Sequence, residues 1–325
     1  MIQQLACPPP AIAVRSAVVH VTVEFPVSDP HYSPELVTAA GVTRVVQAAE
    51  RLGYAAVAFT EHPAPSTKWL RSGGHEALDV VPALAFCAAA TTRLRLMTYL
   101  LVLPYRNPLL TARAAATVDI LSAGRLTVVV GTGYLRSEFR ALGVDFDERN
   151  LLFDEALEVL RGVWSRSPFD YEGRHFTAAS IASLPMPVTP GGPPIWVGGN
   201  SAVARRRAAR VQGWSPLMIP DAIAGTTRTP ALTTFAQLRS AVTEVNELAS
   251  RERGRDVTVD VQLQSLQSTW LQDPNGSPDE HLNFLGQARD AGATWFVVQP
   301  PGHSVAACIE ALERYAEVVH LTGES

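Results

Sequence analysis

The sequence predicts a single (β/α)8 TIM barrel with insertions in its βα loops on the C-terminal face, and three observations carry that prediction. Eight apolar, strand-like runs alternate with eight helix-period runs along 325 residues. The strands are near-continuous apolar runs, as in Leu126-Thr127-Val128-Val129-Val130, a pattern expected when both faces of a strand are covered. An open doubly wound sheet would carry a glycine fingerprint after its first strand, whereas Phe25 runs directly into Pro26-Val27-Ser28-Asp29.

Taken in order, the predicted strands are Ala17–Phe25, Ala55–Thr60, Leu94–Leu103, Arg125–Gly133, Pro194–Gly199, Trp214–Met218, Val257–Gln264 and Thr294–Pro300. Each is followed by an amphipathic segment: Val42–Leu52, Leu78–Ala90, Pro108–Leu121, Leu151–Trp164, Ala202–Val211, Phe235–Arg253, Asp279–Ala291 and Val305–Val319. Strict alternation implies parallel strands with helical crossovers, and eight units imply closure. Two interruptions break the repeat. Residues Phe169–Phe176 form a short β-ribbon before a Pro-rich link to Pro194, and Ile219–Pro230 is a Gly/Thr/Pro-rich insertion after the sixth strand. Long βα insertions in a barrel cover the catalytic face.

Composition narrows the class. Hydrophobic residues make up 47% of the chain, enough for a large core, yet no run of 18 apolar residues suggests a membrane span. A net charge of −4 and the lack of a basic face argue against a nucleic-acid partner, and the short run Arg205-Arg206-Arg207 reads as the solvated side of a helix. Cys7, Cys87 and Cys308 share no metal-type spacing, so no metal site is expected. Sparse, odd cysteine usage fits a reducing cytoplasm, and Cys87 reads as a small core residue. Residues 1–16 read as a proline-stiffened tail without a signal-peptide pattern, with the barrel over 17–325.

Four segments are placed to carry chemistry. Glu61-His62 closes the second strand at the end where barrel enzymes react, and a histidine there can exchange a proton near neutral pH; the plain alternative is a polar strand end tied to a loop. The third strand and its loop, Met97 to Pro108, read mostly as core strand and turn. Gly131-Thr132-Gly133-Tyr134 ends the fourth strand with two glycines that let a backbone approach a flat ring or a phosphate, or that serve only the turn. Glu138 follows as either a site carboxylate or a solvent-facing first-turn residue. In Ile195-Trp196-Val197-Gly198-Gly199-Asn200-Ser201, a strand ends in two glycines and Asn-Ser caps a helix, which makes an anion site or a plain helix start.

Together these segments resemble the luciferase-like monooxygenase superfamily, nearest its coenzyme F420-dependent branch, over roughly residues 17 to 319. The most specific stretch is Asp119-Ile120-Leu121-Ser122-Ala123-Gly124-Arg125-Leu126 running into Gly131-Thr132-Gly133-Tyr134 and Glu138-Phe139, continued by Asp147-Glu148-Arg149 and Phe153-Asp154-Glu155. Nearly as telling is Pro193 to Ser201. The resemblance implies that His62, with Glu61, lies beside the cofactor ring and assists proton transfer. It implies a non-prolyl cis peptide between Thr98 and Tyr99 behind the ring, and a phosphate loop at the Gly198, Gly199 and Asn200 amides. Where sugar-phosphate dehydrogenases of that branch carry a catalytic glutamate, this chain has Tyr134, which argues against a sugar-phosphate substrate.

The resulting expectation is an F420-dependent hydride-transfer enzyme for a small organic substrate. The alternative is an FMNH2-dependent monooxygenase served by a separate reductase, in which Tyr134 and Ser201 offer phosphate hydroxyls. A third possibility is a barrel that binds a flavin without turnover, or a subunit that only supports a partner; Glu61-His62 and both glycine loops argue against it, and a cofactor face blocked by Ile219–Pro230 would favour it. Phe25, Tyr99, Tyr105, Trp196 and Trp214 point to an apolar or aromatic substrate. The resemblance also implies a homodimer, paired through the small-residue helices Leu78–Ala90 and Pro108–Leu121.

Overall fold

The computed structural model describes residues 19–29 and 31–321. The tail at 1–16, Cys7, and the first two residues of the predicted first strand lie outside the described residues.

Eight parallel strands close on themselves. Strands β1 (His20–Glu24), β2 (Ala56–Phe59) and β3 (Arg95–Thr98) pair in sequence order. The two-residue β4 (Leu101–Val102) continues β3 after a break, and both pair with β5 (Leu126–Gly131). A separate antiparallel ribbon, β6 (Phe169–Glu172) and β7 (Thr177–Ile181), stands off the barrel where a ribbon is expected. The barrel continues through β8 (Ile195–Gly198) and β9 (Gly213–Ser215), with β10 (Leu217–Met218) as an extension. It ends with β11 (Asp260–Ser265) and β12 (Trp295–Val298). Closure comes from two pairings: β9 with β11, and β12 with β1.

The helices wrap this barrel: α1 (Ala39–Arg51), α3 (Val80–Ala90), α4 (Pro108–Leu121), α6 (Arg149–Ser165), α7 (Ala202–Ala208), α9 (Phe235–Arg253), α10 (Pro278–Asp290) and α11 (Val305–Val318). Side-chain caps at Thr38, Asp79, Asn107, Ser201, Thr234, Ser277 and Ser304 accept from first-turn amides, so most starts are set by local sequence. Three short helices were not legible as such: α2 (Thr67–Arg71), α5 (Arg136–Ala141) and α8 (Asp221–Thr227). The last lies inside the insertion expected to be irregular. All three belong to βα connections at the C-terminal end of the barrel.

Strand alternation splits the core. One set of side chains packs outward against the helices, including Val21, Val57, Leu96, Val128, Ile195 and Phe296. The other fills the barrel, where Ala56, Ala58, Met97, Val129, Trp196 and Trp295 form their own cluster. Cys87 is buried in α3 as expected of a small core residue. No described helix is long and apolar enough to cross a membrane.

Candidate active site

Parity along the strands decides what faces the opening. Continuing the barrel-filling set to the carboxyl ends gives Glu24, Thr60, Tyr99 and Gly131 on one half of the rim, and Gly198, Ser215, Gln264 and Gln299 on the other. All of them border a cavity of about 580 Å3. Thr98 has the opposite parity: its hydroxyl donates to Val129 O at 2.6 Å, it is 3% exposed, and it does not border the cavity. The cis peptide lies one residue later than expected, between Tyr99 and Leu100. The phenol of Tyr99 crosses the barrel and donates to Gln264 Oε1 at 3.1 Å, forming part of the cavity floor.

Leu100 explains two glycines. A Cβ on Gly131 would stand 2.5 Å from Leu100 Cδ1, and one on Gly198 would stand 2.4 Å from Leu100 Cδ2. Both glycines therefore make room for the Leu100 side chain, which lies across the ends of β5 and β8 as an apolar shelf. Gly133 has φ +73°, and a Cβ there would meet Val102 and Phe139. Tyr134 borders the cavity with its ring edge-on to His62 at 6.1 Å, and burial pushes its hydroxyl up to about 12.

His62 meets a carboxylate that the chain pattern left undecided. Glu138, on α5, is 1% exposed rather than solvent-facing. The adjacent Phe139 packs edge-to-face on Tyr105 and Phe146, which turns this side of the short helix inward. Glu138 Oε2 accepts from the Tyr105 hydroxyl at 2.8 Å and lies 3.3 Å from His62 Nδ1; the Ala64 amide approaches Oε1 at 3.4 Å. An ionised carboxylate only accepts, so Nδ1 carries the proton and Nε2 is left as the basic nitrogen. The imidazole packs on Trp69 at 4.4 Å and edge-on to His75 at 4.9 Å. Burial holds His75 below the ordinary histidine value.

Glu61 borders the cavity but is otherwise committed. Its Oε2 accepts from the Val102 amide at 2.6 Å and its Oε1 from the Arg106 guanidinium, tying the end of β2 to the loop that starts α4. Burial outweighs the nearby guanidinium and raises its carboxyl to about 7.

The glycine loop after β8 differs from a free anion cradle. The Gly199 amide donates to Ser215 O at 3.1 Å, and the Asn200 amide donates to Thr229 Oγ1 at 2.8 Å. The Asn200 side chain is stapled to Leu217 and Pro230 and does not border the cavity. Ser201 does border it, with its hydroxyl capping α7 through the Ala204 amide. Positive charge comes from side chains instead. Among the described residues Arg149, Arg207 and Arg228 border the cavity on this side. Arg207 is 6% exposed, which corrects the solvated reading of its run; it holds Asp154 at 2.6 Å and Asn150. Arg149 and Arg228 lie over the Phe146 ring at 3.9 and 5.4 Å, beside Arg136 at 4.1 Å. Burial, then the charges of Arg136 and Arg228, lower the Arg149 pKa. Asp147, 3.1 Å from Arg136, offsets part of this like charge.

Only part of the aromatic set expected from composition reaches the cavity, where Tyr134 and Phe153 join it. Trp196 fills the barrel below the cavity, while Phe25 and Trp214 pack toward the helices. Of the five candidates only Tyr99 and Tyr105 border the cavity, and the strand ends around them are mostly polar. The α8 insertion contributes Thr227, Arg228 and Thr229 to the wall and does not fill the opening.

Comparison with known proteins agrees with this architecture. A family model described as luciferase-like monooxygenase matches residues 19–228. Over 143 residues, 43% of this chain and 38% of the relative, the chain is 36% identical to an FMNH2-dependent dimethylsulfone monooxygenase of Pseudomonas fluorescens. Over 171 residues, 50% of this chain and 48% of the relative, it is 33% identical to an F420-dependent glucose-6-phosphate dehydrogenase of Segniliparus rotundus. The chain thus spans less than half the length of both of these curated relatives. The solved coenzyme F420-dependent tetrahydromethanopterin reductase of Methanopyrus kandleri superposes with a TM-score of 0.69 at 16% identity, covering 94% of this chain and 99% of that one, a likeness of fold.

Proposed function

We propose that this chain, which belongs to the luciferase-like monooxygenase family, is an oxidoreductase that uses coenzyme F420 on a small organic substrate in the cavity at the carboxyl ends of its strands. The observation that carries this reading is the make-up of that one cavity: the Leu100 shelf, the His62–Glu138 pair, and Arg149 with Arg228 all border it. A flat ring with an anionic tail fits it. Leu100 offers apolar support, flanked by glycines that add no side chain, and the guanidiniums offer charge-assisted hydrogen bonds to a phosphate. When bound, a deazaflavin supplies a hydride to the substrate or takes one from it.

The protein's own part is to hold and to move a proton. Glu138, itself fixed by Tyr105, orients His62 so that Nε2 exchanges the proton that accompanies hydride transfer. Glu61 fixes the β2 end and the loop before α4. Tyr99 closes the floor. Arg149, Arg228 and Ser201 receive the tail, since the Gly199 and Asn200 amides are already bonded.

A second reading keeps the site and exchanges the cofactor for FMNH2, delivered by a separate reductase. Two observations support it: the 36% identity to an FMNH2-dependent relative, and Tyr134 in place of the glutamate expected of the sugar-phosphate dehydrogenases. The homodimer expected from the resemblance has a suitable surface in Phe86 on α3 and Leu110 and Leu121 on α4, which are 40%, 69% and 62% exposed. Sedimentation as a monomer at micromolar concentration refutes that pairing.

Titration with F420, FMN and riboflavin tests the reading. F420 is expected to bind and to support turnover without O2, whereas tight FMN binding with O2-dependent turnover selects the second reading. Riboflavin, which lacks the phosphate, is expected to bind about tenfold or more weakly than FMN, and Arg228→Ala to shrink that difference. Failure of both F420 and FMN to bind overturns the proposal.

A further inference from the structure

Glu24 ends β1 with its side chain inside the barrel and is 2% exposed, yet it borders the cavity. Its Oε2 accepts from Gln299 Nε2 at 2.9 Å and from Gln264 Nε2 at 3.2 Å, and Ser28 also stands against the carboxyl. The Tyr99 hydroxyl holds Gln264 Oε1, so this carboxamide keeps its N–H turned to Glu24. Burial raises the carboxyl above its ordinary value. No arginine, lysine or histidine forms an ion pair with Glu24 among the described residues. On the neighbouring strand, Thr60 borders the same cavity with a buried hydroxyl that has no hydrogen-bond partner. Asp29 and Gln272 border the cavity from the loops after β1 and β11. The arginines stand elsewhere, on α6, on α7 and beside α8.

The cavity is therefore electrically divided. One side carries guanidiniums; the other carries carboxyl, carboxamide and hydroxyl groups from β1, β2, β11 and β12. A buried acid without a cation is costly, and an unpartnered buried hydroxyl adds to that cost. A ligand that brings N–H donors relieves both. An anionic group does not, because it would face Glu24 and Asp29 across a low-dielectric gap. The cofactor's tail is drawn to the opposite side.

We propose that Glu24, with Thr60 and the carboxamides of Gln264 and Gln299, is the anchoring site for the substrate, and that the substrate presents an amine, amidine or amide N–H group rather than a carboxylate, sulfonate or phosphate. This rests on the reading above, in which the cofactor tail occupies the arginine side.

Three probes with one ring and different heads test it: benzylamine, benzamide and benzoate. Binding is followed by ligand-detected NMR on the cofactor-free protein, with inorganic phosphate present throughout to occupy the arginines. Benzylamine and benzamide are expected to bind, and benzoate about tenfold more weakly or not at all. Glu24→Gln, nearly isosteric, is expected to weaken benzylamine about tenfold while benzamide stays within about threefold. Thr60→Val provides a second variant and is expected to weaken benzamide about threefold. In a parallel titration Glu24→Gln leaves FMN affinity within about twofold of wild type. Benzoate binding as tightly as benzylamine, no binding of either nitrogen probe, or unchanged benzylamine binding in Glu24→Gln overturns the proposal. So does a large loss of FMN affinity in that variant, which would assign Glu24 to the cofactor. Failure of the wild type to bind FMN or F420 sinks the earlier reading instead, and the preference of the cavity for amine over carboxylate is measured independently of it.

Discussion

Glu138 Oε2 lies 3.3 Å from His62 Nδ1 across 76 residues of chain. The contact joins the helix that follows β5 to the end of β2, and it is sealed by the Tyr105 hydroxyl at 2.8 Å on the same oxygen. A histidine at a barrel rim is by itself only a polar strand end. Held at Nδ1 by a buried carboxylate, it becomes a nitrogen base with a set tautomer and direction.

Glu138→Gln is expected to lower kcat by about 10²-fold and leave cofactor affinity within about twofold, because the amide keeps the shape but no longer fixes the tautomer. His62→Ala is expected to cost about 10²–10⁴-fold in kcat. Steady-state kinetics beside a cofactor titration separates the two effects. A Glu138→Gln enzyme with normal turnover and weakened cofactor binding would show that this carboxylate serves binding.

Gly198→Ala is expected to weaken FMN and riboflavin equally, because the new methyl displaces Leu100 rather than a phosphate. In a Leu100→Ala background the same substitution should cost nothing further, giving a double-mutant coupling of about 1 kcal/mol. A loss confined to FMN would return the role of this glycine to the phosphate.

Arg207→Met is expected to destabilise the cofactor-free protein by about 2–4 kcal/mol, read by urea unfolding. The guanidinium bonds Asp154 twice and Asn150 twice from a buried position, and the thioether replaces none of these bonds. A change under about 0.5 kcal/mol would contradict the buried placement.

Acid should destabilise the fold through His281. This residue is fully buried against Trp270, lies within hydrogen-bond distance of Gln267 and Tyr315, and is held down to about 4 by burial. The unfolded chain takes up its proton near the ordinary value of 6.5 while the folded chain resists until about 4. The contribution is thus complete above about pH 6.5 and is lost as pH falls to about 4, on the order of 3 kcal/mol in all. Urea midpoints at pH 7.5 and pH 5 should differ in the wild type and converge in His281→Gln. An equal pH slope in the two proteins would show that other groups carry it.

The sequence by itself determined the barrel, its order of strands and helices, and the end at which the site forms. Alternation of apolar runs with helix-period runs is a local property, set by side-chain spacing along a few residues and by caps such as Ser201 and Thr234. His62, Gly131 and Gly198 were legible because they sit where strands stop. What only the tertiary structure decided is which of these groups meet and which way they face. A shift of one residue along a strand moves a side chain from the cavity to the helix layer, which is why Thr98 is excluded while Glu24, Gln264 and Gln299 face in. The role of two glycines depended on Leu100, in the break between β3 and β4. Along the chain Glu138 reads equally as a site carboxylate or a solvent-facing residue, and nothing marks Arg149 or Arg228 as bordering the site. Their setting is created when barrel closure brings distant loops over one opening, which buries Glu138 and leaves Arg149 half-buried and Arg228 exposed beside it.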